Sequence, residues 1–250
     1  MNSLHIKNID IGNGKPKICL PIVGQTMEEI YQQAQSFASL EYDLVELRID
    51  FFEGVFFKDQ VIELLKHLRT MIDKPILCTY RSLKEGGQIQ FQDDEYQEFV
   101  QYVCESGYID LIDIELMSGN ELVYRLVSIA HQNHVFVVMS NHDFHQTPAI
   151  EEMKTRLEKM EILGGDILKM AVMPQSPQDV MNLLAMTTEM SHKLRHPIVT
   201  MSMGALGAVS RVCGELTGSA ITFASAGKAS APGQIAIADM EHILEVLHYD

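Results

Sequence analysis

The chain is 250 residues long, 46% hydrophobic and 21% charged, the composition of an ordinary globular protein with a substantial core. Its 34 acidic residues against 19 basic ones give a net charge of -15, which argues against nucleic acid or an anionic membrane as a partner. No apolar stretch approaches the roughly 20 residues that span a bilayer, and the opening MNSLHIKNIDIGNGKPK lacks the basic and apolar regions of a secretory signal, so a cytoplasmic location is expected.

Taken in order, GNGKPK (12–17) holds an Asn-Gly pair that predicts a hairpin turn joining two short N-terminal strands, an extension over 1–16. Eight short apolar runs follow: 17–23, 43–49, 75–81, 108–116, 135–141, 166–173, 197–203 and 220–225. Between them lie segments such as TMEEIYQQAQSFASL, DQVIELLKHLRTMI and EEMKTRLEKMEIL, whose apolar residues recur at three- and four-residue spacing, the mark of an amphipathic helix. Thr26 followed by Glu29 resembles a capping box, and Ser176-Pro177 puts proline at a first helical position. Strand then helix, about eight times, fits a (β/α)8 TIM barrel in one domain spanning 1–250. A doubly wound open sheet is the alternative, but it would favour a Gly-rich dinucleotide turn, and GNGKPK lacks the third glycine and the following helix. Cys19, Cys78, Cys104 and Cys213 are scattered without a CxxC pair, so structural zinc is not indicated.

A barrel collects its chemistry at the C-terminal ends of its strands. In DLVELRID, Glu46, Arg48 and Asp50 share one face, while Val45, Leu47 and Ile49 face the helices. A surface edge strand would alternate in the same way. PILCTYR ends in Arg81, and the loop after it carries Glu85 beside two glycines. His142 stands just past the fifth run, where a hydrogen-bonded structural histidine is the commoner occupant. GALGAVSRVCGE, a Gly-containing loop and helix start, bears Arg211, and AGKASAPGQI carries Lys228, Ser230 and Gln234.

The run DILKMAVM places Lys169 among apolar residues, where desolvating an ammonium is costly. Alone, such a lysine more often snorkels out at a strand edge. Inside an apolar barrel near arginines it is instead a candidate for a free amine that forms a Schiff base with a ketone or aldehyde. His142 then becomes a candidate general base, and the arginines call for a carboxylate or phosphate. No cluster of His and carboxylate has metal-ligand spacing, so neither a metal nor any other cofactor is expected.

The sequence resembles type I 3-dehydroquinate dehydratases from Lys17 to about Leu247. The resemblance rests on ELRID (46–50), TYRSLKEGG (79–87), SNHDFHQTP (140–148), DILKMA (166–171), TMSMGALGAVSR (200–211), GSAITFA (218–224) and SAPGQI (230–235). It implies that Lys169 is the Schiff-base lysine and His142 the catalytic acid/base, oriented and tuned by Glu85. It also implies that Arg211 anchors a substrate carboxylate. Glu46, Arg48, Arg81, Ser230 and Gln234 would make the other substrate contacts, the last two on a loop that closes over the site. The reaction implied is the dehydration of 3-dehydroquinate in the shikimate pathway, and a homodimer is frequent in the family. Pro21 stands where some relatives have a serine that could touch substrate, so the resemblance assigns no side-chain contact to the first barrel strand.

Two other functions fit parts of the pattern. A class I aldolase would use Lys169 on a phosphorylated sugar, and assaying dehydroquinate against sugar phosphates separates the two. A catalytically dead barrel would bind a small acid or a partner, but binding alone needs no neutral lysine.

Overall fold

Eight strand runs alternating with helical patterns need one arrangement that buries both the strands and the helical stripes, and in the computed structural model they form a ring of parallel strands inside a layer of helices. The structure describes residues 3–227 and 230–249. The barrel strands are β3 (Lys17–Ile22), β4 (Leu44–Arg48), β5 (Ile76–Thr79), β6 (Leu111–Glu115), β7 (Phe136–Asp143), β8 (Ile167–Val172), β9 (Ile198–Ser202) and β10 (Ile221–Ser225). They pair in the order β10-β3-β4-β5-β6-β7-β8-β9. The ring closes between β9 and β10 through a parallel bridge of Ile198 with Ser219 and an Ala220 N–H donated to the Ile198 carbonyl at 2.8 Å.

The helices are α1 (Met27–Ser36), α2 (Lys58–Met71), α3 (Asp93–Glu105), α4 (Asn120–Gln132), α5 (Ile150–Ile162), α6 (Pro177–Lys193), α7 (Gly214–Thr217) and α8 (Ile237–Leu247). Of the caps read from the sequence, the proline start of α6 is present, whereas the box at Thr26 is only half made, because the Glu29 carboxylate accepts the Gln25 N–H at 2.7 Å instead of the Thr26 N–H. Thr26 accepts from the Glu29 N–H at the start of α1, and Ser176 and Asp179 form a reciprocal box with Pro177 in the first turn of α6. Such caps are worth about 0.5–2 kcal/mol each. One expectation fails here: the seventh unit has no full helix. Arg211 ends a 3-10 turn, Ala208–Arg211, and only the four-residue α7 follows.

Side chains alternate between two cores. Val45, Leu47 and Ile49 pack outward with Leu64, Leu65 and Leu68 of α2, as the alternation predicts. Leu44, Leu77, Leu111, Val138, Ile167, Val199 and Ile221 point inward and fill the floor of the barrel. Each such aliphatic side chain contributes about 1.5–3 kcal/mol on full burial. The floor is completed by Ile6, Ile9 and Ile11 of the hairpin β1 (Leu4–Ile6) and β2 (Ile9–Ile11).

The hairpin exists, but its turn is not the Asn13-Gly14 pair. The strands pair Ile6 with Ile9, so Lys7 and Asn8 make the turn, with Lys7 at φ 52°. Burying all three isoleucines under the barrel sets this register and overrides the turn preference of Asn-Gly. A further two-residue strand, β11 (Ile235–Ala236), unforeseen in the sequence, pairs with β10 and leads into α8. No helix of the described residues is long and apolar enough to cross a membrane.

Candidate active site

Above the aliphatic floor the barrel interior turns polar. Glu46, Thr79, Asp113, Ser140 and Lys169 occupy inward positions two residues further along their strands, and all are buried. Filling this level with charge forgoes the burial gain of aliphatic residues, and an unpaired charge here would cost several kcal/mol more. Each group is accordingly partnered.

Lys169 comes from the middle of β8, where register with Ser140 and Val199 aims it at the barrel axis. Its Nζ lies 3.5 Å from Glu46 Oε1 and 3.7 Å from Asp113 Oδ2, and 4.4 Å from the centre of the Phe223 ring. Arg48, Arg81 and Arg211 do line the same cavity, as the sequence suggests, but none of them is the nearest partner of this nitrogen. The nearest groups are two carboxylates and an aromatic face. Glu46 also accepts from the Thr79 hydroxyl at 2.9 Å.

His142 stands at the end of β7, and Glu85 reaches it from the 3-10 turn Leu83–Glu85 after β5. Glu85 Oε2 lies 2.9 Å from His142 Nδ1 and accepts the His142 backbone N–H at 2.9 Å, while Oε1 accepts from Asn141 Nδ2 at 3.1 Å. Burial lowers the proton affinity of His142 well below the ordinary 6.5, and Arg81, Lys169 and Arg48 add to the effect. Burial, then the Glu115 carboxylate, pushes the Glu85 carboxyl up to about 8 against the pull of Arg81. Both members of the pair resist charge. The imidazole is neutral at neutral pH, and with Nδ1 engaged by Glu85 its Nε2 is left to exchange a proton with a bound molecule.

The arginines fall into two kinds. Arg48 forks onto Asp50, with Nε and NH2 each at 2.9 Å from a carboxylate oxygen. Arg81 donates to Asp113 at 2.8 Å, to Glu115 at 2.9 Å and to the Ser140 hydroxyl at 3.0 Å. Burial opposes its charge, yet Asp113, Glu115 and Glu85 hold its proton affinity well above the ordinary range. Arg211 differs. Its NH2 donates to the Pro232 carbonyl at 2.9 Å, its buried Nε has no partner, and no carboxylate among the described residues pairs with it. Burial alone draws its proton affinity down to about 10, so it remains a cation whose charge is not neutralised within the protein.

The last two candidates lie on the segment entering β11. The Ser230 N–H donates to Gln234 Oε1, and Gln234 Nε2 donates to the Ser230 hydroxyl, both at 2.9 Å. Gly233 packs so closely on Gly204, at φ 77°, that a Cβ would lie 2.4 Å from the Gly204 carbonyl oxygen. Lys228 lies outside the described residues.

All nine residues to which the family resemblance gives a role line one cavity of about 210 Å³ at the C-terminal end of the strands. Asp113 and Glu115 were missed, although DLIDIE alternates as ELRID does and carried the same signal. Among the described residues no three His, Cys, Asp or Glu side chains converge as metal ligands would.

Known proteins resemble this chain in sequence and overall shape. The profile of the family described as type I 3-dehydroquinase matches residues 18–250. A 3-dehydroquinate dehydratase of Listeria monocytogenes serotype 4b is 47% identical over 249 residues, covering 99% of both chains. One from Salmonella typhimurium is 43% identical over 250 residues, again covering 99% of both. The crystal structure of type I 3-dehydroquinate dehydratase from Clostridium difficile, with covalently modified comenic acid, superposes with a TM-score of 0.96 at 43% identity. That superposition covers 99% of this chain and 98% of the other. The chain belongs to the type I 3-dehydroquinase family.

Proposed function

We propose that the protein converts 3-dehydroquinate to 3-dehydroshikimate by syn elimination through an imine on Lys169, the third step of chorismate and aromatic amino acid biosynthesis. The observation that carries the reading is the company of Lys169. One cavity holds a buried lysine with two carboxylates beside its nitrogen, a neutral His142 backed by Glu85, and a buried arginine without an acidic partner. The covalently modified ligand of the Clostridium difficile relative supports covalent chemistry in this family.

In this mechanism Arg211 takes the substrate carboxylate, the one anion that matches its unneutralised charge. Lys169 Nζ, once deprotonated, adds to the ring ketone, and the carbonyl oxygen leaves as water to give a protonated imine. The positive charge stays at the nitrogen, so Glu46 and Asp113, which paired with the ammonium, pair equally with the iminium. His142 Nε2 then removes a proton from the neighbouring ring CH₂, and the electron pair moves into the C–N system as an enamine. The enamine pushes out the ring hydroxyl, which takes the same proton from His142 and leaves as water. A water molecule hydrolyses the conjugated iminium, releasing product and the lysine. Two waters leave and one enters, so the balance is one dehydration. Proton and hydroxyl depart from one face because one histidine serves both.

Glu46, Arg48, Arg81, Ser230 and Gln234 complete the substrate contacts in this reading. Residues 1–250 act as a single catalytic domain, working in the cytoplasm as a homodimer, without a metal or other cofactor. The test is borohydride reduction in the presence of 3-dehydroquinate, followed by peptide mass mapping. A single adduct on Lys169 is expected. Labelling on Lys228 instead, or no adduct in an enzyme that turns over, overturns the imine.

A further inference from the structure

Behind the His142–Glu85 pair, on the side away from the substrate cavity, the hydrogen bonding continues into the helix layer. Asn141 and His142 are consecutive on β7, so they face opposite sides of the barrel wall. His142 points into the barrel, whereas Asn141 points towards α5. Glu85 lies across the strand end and bonds to both, through Oε1 to Asn141 Nδ2 at 3.1 Å and through Oε2 to His142 Nδ1 at 2.9 Å. From α5, Arg156 NH1 donates to Asn141 Oδ1 at 2.8 Å, and Arg156 is itself held by Glu152 one turn earlier.

The chemistry of the groups fixes the direction of each bond. A guanidinium has only donors, so the Asn141 amide must present its oxygen to Arg156. Its NH₂ must then face Glu85, where it satisfies the oxygen that His142 does not use. Released from Arg156, the amide could turn over and set an oxygen against the carboxylate. Asn141 and Arg156 line a separate cavity of about 360 Å³, and neither lines the substrate cavity. Glu85 and His142 line both. Arg156 also stands 4.0 Å from Asp143 at the end of β7, but the side-chain hydrogen bonds that lead from the two residues towards the substrate cavity run through Glu85.

We propose that Asn141 and Arg156 are positioning residues, a relay from α5 that holds the Glu85 carboxylate in the plane needed to orient His142. The inference rests on the acid/base role given to His142 above. The groups facing Glu85 from the surrounding elements are Arg81 of the β5 end, Asp113 and Glu115 of β6, and Asn141 and His142 of β7. Arg81 and the Asn141 amide favour its ionised form, while burial, Glu115 and Asp113 oppose it. Removing the amide donor therefore raises the pH at which Glu85 ionises.

The first measurement needs no substrate. Carbon-13 NMR titration of the Glu85 carboxyl, assigned by its loss in Glu85→Gln, is compared in wild type, Asn141→Ala, Arg156→Gln and Arg156→Lys. Asn141→Ala should move the midpoint upward by about one unit, the effect of losing one hydrogen bond to a charged group. Arg156→Gln should move it the same way by less, and Arg156→Lys, which restores a donor, should lie close to wild type. An unmoved midpoint in Asn141→Ala overturns the relay.

The second measurement is kinetic. Asn141→Ala should lower kcat by about 10-fold, part of the usual general acid–base contribution, with KM little changed and borohydride trapping on Lys169 at the wild-type rate. Trapping lost in proportion to turnover would mean that the whole site had collapsed, and the positioning role would be wrong. In a Glu85→Gln background the same substitution should cause no further loss, because the relay acts only through that carboxylate; an additive loss also overturns it. Should the wild-type protein neither trap nor dehydrate 3-dehydroquinate, the activity reading fails, and the titration still decides the relay.

Discussion

One carboxylate oxygen, Glu85 Oε2, meets His142 twice, 2.9 Å from Nδ1 and 2.9 Å from the backbone nitrogen. The ring is thus fixed by the same atom that fixes its strand end, and rotation of the imidazole would leave a buried Glu85 oxygen short of a partner. The proposed mechanism asks for this geometry, because there His142 must keep Nε2 aimed at one ring carbon through several steps.

The pair also makes stability depend on pH. Glu85 is raised from an ordinary 4.5 to about 8, chiefly by burial and then by Glu115. The folded protein keeps this proton where the unfolded chain has released it, so its contribution is complete below 4.5 and is lost as pH rises to about 8. His142, lowered by burial, works in the other direction, losing stability as pH falls below 6.5. Between about 6.5 and 8 the Glu85 slope stands alone within the pair. Glu85→Gln, an uncharged isostere, should flatten the pH dependence of urea unfolding in that window and remove the titration near 8 from the kcat/KM profile. A variant with an unchanged slope and profile would show that Glu85 is not the titrating group. His142→Ala should be more damaging, by about 10²- to 10⁴-fold in turnover, while still trapping the imine under borohydride.

Lys169→Ala should abolish turnover, and it should also destabilise the fold. The side chain pairs with Glu46 and Asp113 deep in the barrel, and removing one partner of a buried pair costs about 3–5 kcal/mol. Asp113 keeps Arg81 and the Ser140 hydroxyl, which places this case at the low end, about 3 kcal/mol. For a chain of this length that is a fall in Tm of roughly 6–12 °C. A scanning calorimetry Tm equal to that of wild type would mean that the two carboxylates do not depend on the lysine.

Exhaustive EDTA treatment should leave turnover unchanged. The electron sink in the proposed mechanism is the iminium on Lys169, which supplies what a Lewis-acid metal would otherwise provide. Activity lost to the chelator and restored by a divalent cation would overturn the mechanism.

Much of this was legible in the sequence because a βα barrel repeats one local instruction. Each strand run announces itself by apolar alternation, and the charged residues at i and i+2 in ELRID announce an inward polar face. The same instruction in DLIDIE placed Asp113 and Glu115 beside Arg81, and it was there to be read. What could not be read were contacts that only closure of the ring creates. Lys169 and Glu46 are 123 residues apart in sequence, and no local pattern says that a lysine in an apolar run will meet a carboxylate. The hairpin turn was lost for a related reason. Asn13-Gly14 is the stronger turn former, but the register answers to three isoleucines that must cover the barrel floor.

Arg211 joins the substrate site to the segment that borders it. Its NH2 bonds the Pro232 carbonyl at 2.9 Å, the same oxygen that accepts the Gly204 N–H at 3.2 Å, and next to it Gly233 packs against Gly204 without room for a side chain. The chain is thus pinned at 232–233, and any closure over a bound ring must come from the part carrying Ser230, whose carbonyl stands 3.5 Å from Arg48 NH1. If the guanidinium forks onto the substrate carboxylate while keeping Pro232, Arg211→Lys must give up one of the two, because an ammonium lacks the planar pair of donors. Losing one charge-assisted hydrogen bond should lower kcat/KM by about 10- to 100-fold. A substrate analogue without the carboxylate should bind wild type poorly and be almost indifferent to the substitution. Hydrogen exchange at 230–235 should slow when borohydride traps the adduct in wild type, and slow less in Arg211→Lys. An analogue that loses as much affinity as the true substrate would place the carboxylate elsewhere, and equal protection in both proteins would separate the segment from the anchor.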